Sequence, residues 1–240
     1  MSKLNPYQII YNELKQAIEN KIYKPNDRLP SENQLAKTYK VSRETIRKVL
    51  KLLATDGYIQ KQQGKCSIVL DHKQFEFPVS NLTSYAELDN HQHLHSKTNV
   101  EQLRKDISQI ENPMYPFKDQ EVWQSIRTRE IDGEKIILDK DYLNPEIIPH
   151  LTPEILEKSL FDYVENELGL VIDYSIKEIT VENVTEEDKK YLDLSPADQC
   201  VVVVRSQAFL KDTQLFEYTE SRHRADKFIF KEFSRRKKGM

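Results

Sequence analysis

Residues 29–47 limit what this chain can fold into more than any other part of the sequence. Ser31 followed by Gln34 forms a capping box, which is a signature of a helix N-terminus. The helix should end at about Tyr39, and Lys40-Val41 should form a tight turn before Ser42, which is placed to cap a second helix. An earlier helix is predicted over residues 7–19. Two short helices joined by so tight a turn predict a helix-turn-helix.

The second of these helices has two chemically different faces. The apolar residues of 46–53 recur at spacings of three and four, whereas Arg43, Arg47 and Lys51 recur every four residues on another face. Arginine can bond a guanine edge through two N–H groups, and a helix N-terminus can bind a phosphate. An ordinary amphipathic helix with a solvated basic face would show the same pattern. The candidate DNA contacts are Ser42, Arg43, Glu44, Thr45, Arg47 and Lys51.

The next segment favours the DNA-binding interpretation. Asp56-Gly57 should end the helix, and Tyr58–Lys61 and Ser67–Leu70 then read as two short strands. A hairpin at this place would be the wing of a winged helix-turn-helix. Gly64 allows the backbone to approach DNA closely, and Lys65 can contact a phosphate.

Charge is divided unevenly along the chain. Residues 1–75 contain 14 Lys and Arg against 7 Asp and Glu and so carry +7; because the whole chain carries −3, the remainder carries −10. This asymmetry indicates that only the first part meets a polyanion. No apolar run approaches the roughly 18 residues that span a bilayer, and residues 1–6 do not resemble a signal peptide, so we expect a cytoplasmic, nucleoid-associated protein. Cys66 and Cys200 are expected to remain unpaired.

Residues 6–70 resemble the winged helix-turn-helix of the GntR family of bacterial transcription regulators. The resemblance is carried by Leu29-Pro30-Ser31-Glu32, Val41-Ser42-Arg43-Glu44-Thr45-Ile46-Arg47-Lys48, Asp56-Gly57-Tyr58-Ile59 and Gly64-Lys65. It implies that the DNA contacts lie at Ser42, Arg43, Thr45, Arg47 and Gly64.

From residue 99 onward the pattern is mostly that of β-strands. Asp132-Gly133 marks a hairpin turn between strands at 122–130 and 135–143. Further strands are predicted at 174–184, 200–210, 215–224 and 228–233, and helices at 153–158, 160–168 and 185–192. Strands interleaved with a few helices predict an α+β domain built on one mostly antiparallel sheet. The predicted domains are a DNA-binding domain at 1–71, a linker at 72–82, and an effector-binding and dimerisation domain at 83–240.

Two sets of polar residues in this second domain are candidates for ligand binding. Arg127 and Arg129 alternate along one strand, so both point to the same face, where two guanidinium groups could hold a phosphate. Glu217 and His223 share a face of another strand with hydroxyl residues, and that face could bind sugar hydroxyls. Salt bridges between strands on a solvated sheet face are the alternative.

The sequence offers little support for metal binding or catalysis. Histidines alternate over His91–His95, but no cysteine or carboxylate completes a metal-ligand set, so this segment is expected to be a loop. No nucleophile with a base and no defensible acid–base pair follows residue 80. We therefore expect no metal site, no cofactor and no enzymatic activity.

Residues 75–235 resemble the effector domain of the HutC branch of the GntR family, the UTRA domain, which has a chorismate-lyase-like fold. Phe77-Pro78-Val79-Ser80, Ile131-Asp132-Gly133-Glu134, Leu138-Asp139-Lys140-Asp141-Tyr142, Glu167-Leu168-Gly169-Leu170 and the segment 218–224 resemble members that repress trehalose operons. The resemblance implies that trehalose 6-phosphate is the effector. It also implies that the phosphate is held by Ser84, Arg127 and Arg129. The sugar would be lined by Asp139, Glu217 and His223.

These observations predict a homodimeric transcriptional repressor that binds palindromic double-stranded operator DNA and releases it when a sugar phosphate binds. The same type of regulator with another effector, such as glucosamine 6-phosphate or a non-sugar metabolite, fits the pattern as well. An enzyme of lyase-like fold and a nucleoid protein without sequence preference are the competing classes. Turnover of a sugar phosphate would favour the enzyme. Equal affinity for DNA of every sequence would favour the nucleoid protein.

Overall fold

The computed structural model describes residues 5–61, 66–70 and 96–230, which fall into two compact units. The first unit contains the described residues up to Leu70, and the second contains residues 96–230. The predicted linker at 72–82, together with both of its boundaries, lies outside the described residues, so the division at 71 and 83 stays a prediction.

The first unit has three helices and a small hairpin among its described residues. Its elements are α1 (Pro6–Glu19), α2 (Glu32–Tyr39), α3 (Arg43–Thr55), β1 (Ile59–Gln60) and β2 (Ile68–Val69). The apolar faces of the helices and the hairpin enclose one core, in which Ile46 and Leu53 of α3 are fully buried. The hairpin strands are shorter than predicted, and Arg28 forms an additional antiparallel bridge to Ile68. The predicted helix-turn-helix is confirmed.

The connection between α2 and α3 depends on one residue in a left-handed conformation. Lys40 has φ 53° and ψ 42°, and its N–H donates a hydrogen bond to the carbonyl of Ala36. This conformation is uncommon outside glycine and asparagine. It ends α2 abruptly, so that Ser42 caps α3 by accepting a hydrogen bond from the N–H of Thr45 at 3.1 Å. The angle between the two helices is therefore fixed by a two-residue turn.

The second unit is organised around one antiparallel sheet of six described strands in the order β3-β4-β5-β8-β7-β6. The strands are β3 (Lys97–Ile107), β4 (Glu121–Ile131), β5 (Glu134–Leu143), β6 (Ile172–Asn183), β7 (Cys200–Leu210) and β8 (Leu215–Arg224). The helices are α4 (Pro153–Lys158), α5 (Leu160–Asp162) and α6 (Glu186–Tyr191). Leu156 and Val164 pack with Leu143 and Phe216 in the largest core of this unit. The α+β prediction is confirmed.

Two predicted elements differ from the structure. The strand predicted at 228–233 is wrong over 228–230, which have no regular structure, and 231–233 lie outside the described residues. Arg224, the last residue of β8, pairs with Val201, the second residue of β7, so the pairing of β8 with β7 ends here. The helix predicted at 160–168 is α5 followed by a π-helical turn at Tyr163–Glu167. Within the described ranges, no helix is long and apolar enough to cross a membrane.

Candidate functional site

The exposed face of α3 carries the cations that the sequence indicated. Arg43, Arg47 and Lys51 are all exposed, and the side chain of Arg47 is 60% exposed. Ser42 and Glu44 are exposed at the helix N-terminus, where the Ser42 hydroxyl lies 2.9 Å from that of Thr45. The apolar face of α3 is buried, so this cationic face is the one that α3 presents to solvent. Gly64 and Lys65 lie outside the described residues.

A carboxylate on α2 reaches this cationic face. Glu32 accepts a hydrogen bond from Nε of Arg47 at 2.8 Å, and Nη2 of Arg43 lies 4.0 Å from the same oxygen. The sequence showed Glu32 only as part of a helix start. The contact joins residues 15 positions apart and depends on the angle between the two helices.

In the second unit, strand register brings the predicted effector residues onto one face of the sheet. Arg127 lies opposite Asp139 in the β4–β5 pair, and Asp139 lies opposite Ser221 in the β5–β8 pair. Glu217 and His223 lie on the same face of β8 as Ser221 because strand residues alternate. The buried residues of this cluster are Arg127, Arg129, Asp139, Glu217 and His223. Ser84 lies outside the described residues.

Each arginine of this cluster is bonded to its own aspartate. Arg127 donates two hydrogen bonds to Asp141, from Nε at 2.7 Å and from Nη2 at 2.8 Å. Arg129 donates from Nε to Asp139 at 2.7 Å and from Nη1 to the hydroxyl of Thr98 at 2.9 Å. Asp141 is fully buried and was not among the predicted residues. Its alternation with Asp139 along β5 was the signal that could have identified it.

Hydroxyl groups donate further hydrogen bonds to the two aspartates. Ser125 donates a hydrogen bond to Asp141 at 2.5 Å, and Ser221 donates one to Asp139 at 2.6 Å. Thr219 donates a longer bond to Asp141, at 3.4 Å. Buried ions are tolerated when they are paired and hydrogen-bonded in this way. The cluster is therefore a buried polar network on one face of the sheet rather than a solvated row of salt bridges.

The remaining two titratable groups of the cluster are neutral near pH 7. Burial, reinforced by the charge of Asp141, raises the pKa of Glu217 to about 8. Burial lowers the pKa of His223 to about 4, despite the opposing effect of Asp139. Burial alone would raise the pKa of Asp139, but Arg129 and Arg127 lower it below its ordinary value. Two arginines thus balance two aspartates, and a carboxylic acid and an imidazole remain as uncharged hydrogen-bonding groups.

No group of three or more His, Cys, Asp or Glu side chains within 5–61, 66–70 and 96–230 could hold a metal ion. The alternating histidines at His91–His95 lie outside these ranges. Cys66 and Cys200 are both free. The chemistry of the described cluster is thus that of hydrogen bonding and charge pairing.

Comparison with known proteins identifies both units. The model for bacterial regulatory proteins of the gntR family matches residues 6–69, and the model for the UTRA domain matches residues 114–229. The HTH-type transcriptional regulator TreR of Bacillus subtilis is 48% identical over 98% of this chain and 100% of its own length. The chain belongs to the GntR family. It is a transcriptional regulator with a UTRA domain, and not an enzyme.

Solved structures agree with this assignment. YydK of B. subtilis, described as a possible transcriptional regulator, superposes with a TM-score of 0.78 at 26% identity, covering 97% of this chain and 100% of its own. The effector-binding domain of the B. subtilis trehalose repressor TreR gives a TM-score of 0.51 at 47% identity, covering 59% of this chain and 99% of that domain. The winged helix-turn-helix and the UTRA fold expected from the sequence are confirmed.

Proposed function

We propose that this GntR-family regulator represses a trehalose-utilisation operon and leaves its operator when trehalose 6-phosphate binds to the UTRA domain. The observation that carries the proposal is the 48% identity to TreR over nearly the whole of both chains. The 47% identity to the effector-binding domain of the trehalose repressor extends this support to the part of the chain that would bind the effector.

The exposed face of α3 supports the DNA-binding part of the proposal. Arg43, Arg47 and Lys51 would contact base edges and phosphates, while the N-terminus of α3, with Ser42, Glu44 and Thr45, faces the groove floor or a phosphate. Gly64 and Lys65 of the wing would contact the adjacent backbone. A palindromic operator requires two such helices about one helical turn of DNA apart, roughly 34 Å, which a homodimer provides.

The edge strand β6 supports the proposed homodimer. Ile176 and Val181 of this strand are 51% and 69% exposed, and other apolar residues of β6 are exposed beside them. The opposite edge strand, β3, carries exposed charged residues at 104–106 and a single exposed large apolar residue, Ile107 at its end. Charged edges are protected against pairing with another chain, whereas apolar edges invite it. A second copy of this chain is therefore the expected partner of β6.

The buried cluster supports the effector-binding part. In the proposal the phosphate of the sugar contacts Ser84, Arg127 and Arg129, and the sugar hydroxyls contact Asp139, Glu217 and His223. Because both guanidinium groups are already bonded to aspartates, the phosphate would share them with Asp139 and Asp141. The ligand releases DNA only if it binds the DNA-free arrangement more tightly than the DNA-bound one.

Fluorescence anisotropy with a labelled operator, selected from random duplexes by the protein itself, tests this function. Trehalose 6-phosphate should release the operator, whereas trehalose without its phosphate should not. If only glucosamine 6-phosphate releases the operator, the effector assignment is wrong, but the protein is still an effector-responsive repressor. Equal binding to operator and random duplex at physiological salt would refute sequence-specific repression.

A further inference from the structure

We propose that Glu32 is a positioning residue for operator reading, because it holds the guanidinium of Arg47 in the orientation that bonds a guanine edge. The inference rests on the proposed contact between Arg47 and the operator. It adds a specificity-determining carboxylate on α2, outside the helix that reads the bases.

The contact is built into the helix-turn-helix. Glu32 is the first residue of α2, directly after the N-cap Ser31. Its side chain is 27% exposed, against 60% for Arg47, so the carboxylate is the less accessible partner of the pair. The left-handed Lys40 fixes the angle at which α3 leaves α2 and thereby the 2.8 Å separation between Glu32 and Nε of Arg47.

The hydrogen bond selects which part of the guanidinium faces outward. With Nε bonded to Glu32, the Nη1 and Nη2 groups of Arg47 have no partner among the described residues. These two nitrogens form the planar fork that matches the O6 and N7 acceptors of guanine. A long arginine side chain on an exposed helix otherwise samples many rotamers, so a fixed fork improves discrimination between bases.

The negative charge of Glu32 should weaken non-specific DNA binding, which is the opposite of its effect on the operator. A carboxylate near the DNA surface repels phosphates and weakens the electrostatic attraction that supplies non-specific affinity. Glu32 should therefore strengthen discrimination while it weakens non-specific binding. A purely structural role, such as favourable interaction of an acidic residue with the N-terminus of α2, would change both affinities together.

The test compares the full-length protein with E32Q on operator and random duplexes at one salt concentration. A bidentate arginine–guanine pair is worth roughly 5- to 150-fold in discrimination. E32Q loosens this pair without removing it, so it should lower the ratio of operator to random affinity by about fivefold, the lower end of that range. Its affinity for random duplex should stay equal or rise. The double variant E32Q/N33D restores a negative charge to the first turn of α2 but leaves an amide in place of the carboxylate that bonds Arg47, so it should not recover the ratio. Recovery of the ratio would overturn the proposal.

A double-mutant cycle with R47A links the effect to the named contact. In the R47A background, E32Q should lose most of its effect on the ratio. An equal loss in both backgrounds would show that Glu32 acts independently of Arg47 and would overturn the proposal. If R47A itself leaves discrimination unchanged, the operator contact assigned to Arg47 fails. If R47A reduces discrimination and E32Q does not, the contact stands and only the role of Glu32 is refuted.

Discussion

The buried carboxyl group of Glu217 should make the stability of the UTRA domain depend on pH. Its pKa rises from an ordinary 4.5 to about 8 in the folded protein. Because the folded state holds this proton more tightly than the unfolded chain, the contribution of Glu217 to stability is fully present below pH 4.5 and is lost as the pH rises through 8. At 1.36 kcal/mol per pKa unit, the loss between pH 6 and pH 9 is about 3 kcal/mol. E217Q keeps a neutral hydrogen-bonding group of similar shape and removes this titration.

Urea unfolding followed by tryptophan fluorescence measures this effect in the full-length chain. Trp123, the one tryptophan of the sequence, lies in β4 and donates a hydrogen bond to the carbonyl of Ile148 at 2.9 Å, so its emission reports on this domain. The free-energy difference between E217Q and the wild type should change by about 3 kcal/mol from pH 6 to pH 9. E157Q, which removes an exposed carboxyl of α4, controls for net charge. A constant difference between E217Q and the wild type would refute the reasoning.

Three further predictions concern stability and assembly. D141N leaves the buried guanidinium of Arg127 without its carboxylate and should destabilise the domain by about 3–5 kcal/mol in the same urea assay; a loss below about 1 kcal/mol would contradict the network. G133A places a Cβ at φ +84° with no atom within 4 Å, so backbone strain alone should cost about 1–2 kcal/mol. V181K puts a charge on the exposed edge of β6 and should weaken self-association in sedimentation equilibrium, whereas D106N on β3 should not.

Local signals in the sequence were enough to predict the DNA-binding unit. Ser31 and Ser42 cap the helices they were expected to cap, because a capping residue acts on the next three residues of its own chain. The Asp132-Gly133 turn is equally local, and its two residues take φ 53° and φ 84° between β4 and β5. Helix caps and tight turns are determined by a few consecutive residues, so they can be predicted from the sequence alone.

The partners of the charged groups depend on register and on packing between elements, which the pattern does not contain. Alternation along β4 correctly placed Arg127 and Arg129 on one face. However, Arg127 lies opposite Asp139 and bonds instead to Asp141, the diagonal neighbour. The contact between Glu32 and Arg47 likewise follows from the angle between two helices. The alternation of Asp139 and Asp141 is visible in the sequence, but it does not show which arginine each aspartate binds. Glu32 could not be recognised as a neighbour of Arg47 before the helices were placed.

Calorimetric titration of the full-length protein with trehalose 6-phosphate, with and without saturating operator, tests the central claim most directly. Two ligands that oppose each other through one protein must weaken each other's binding by the same factor. The account predicts that trehalose 6-phosphate binds the free regulator and that operator DNA weakens this binding as strongly as the sugar phosphate weakens operator binding. Absence of binding, or an equal affinity with and without operator, would contradict it.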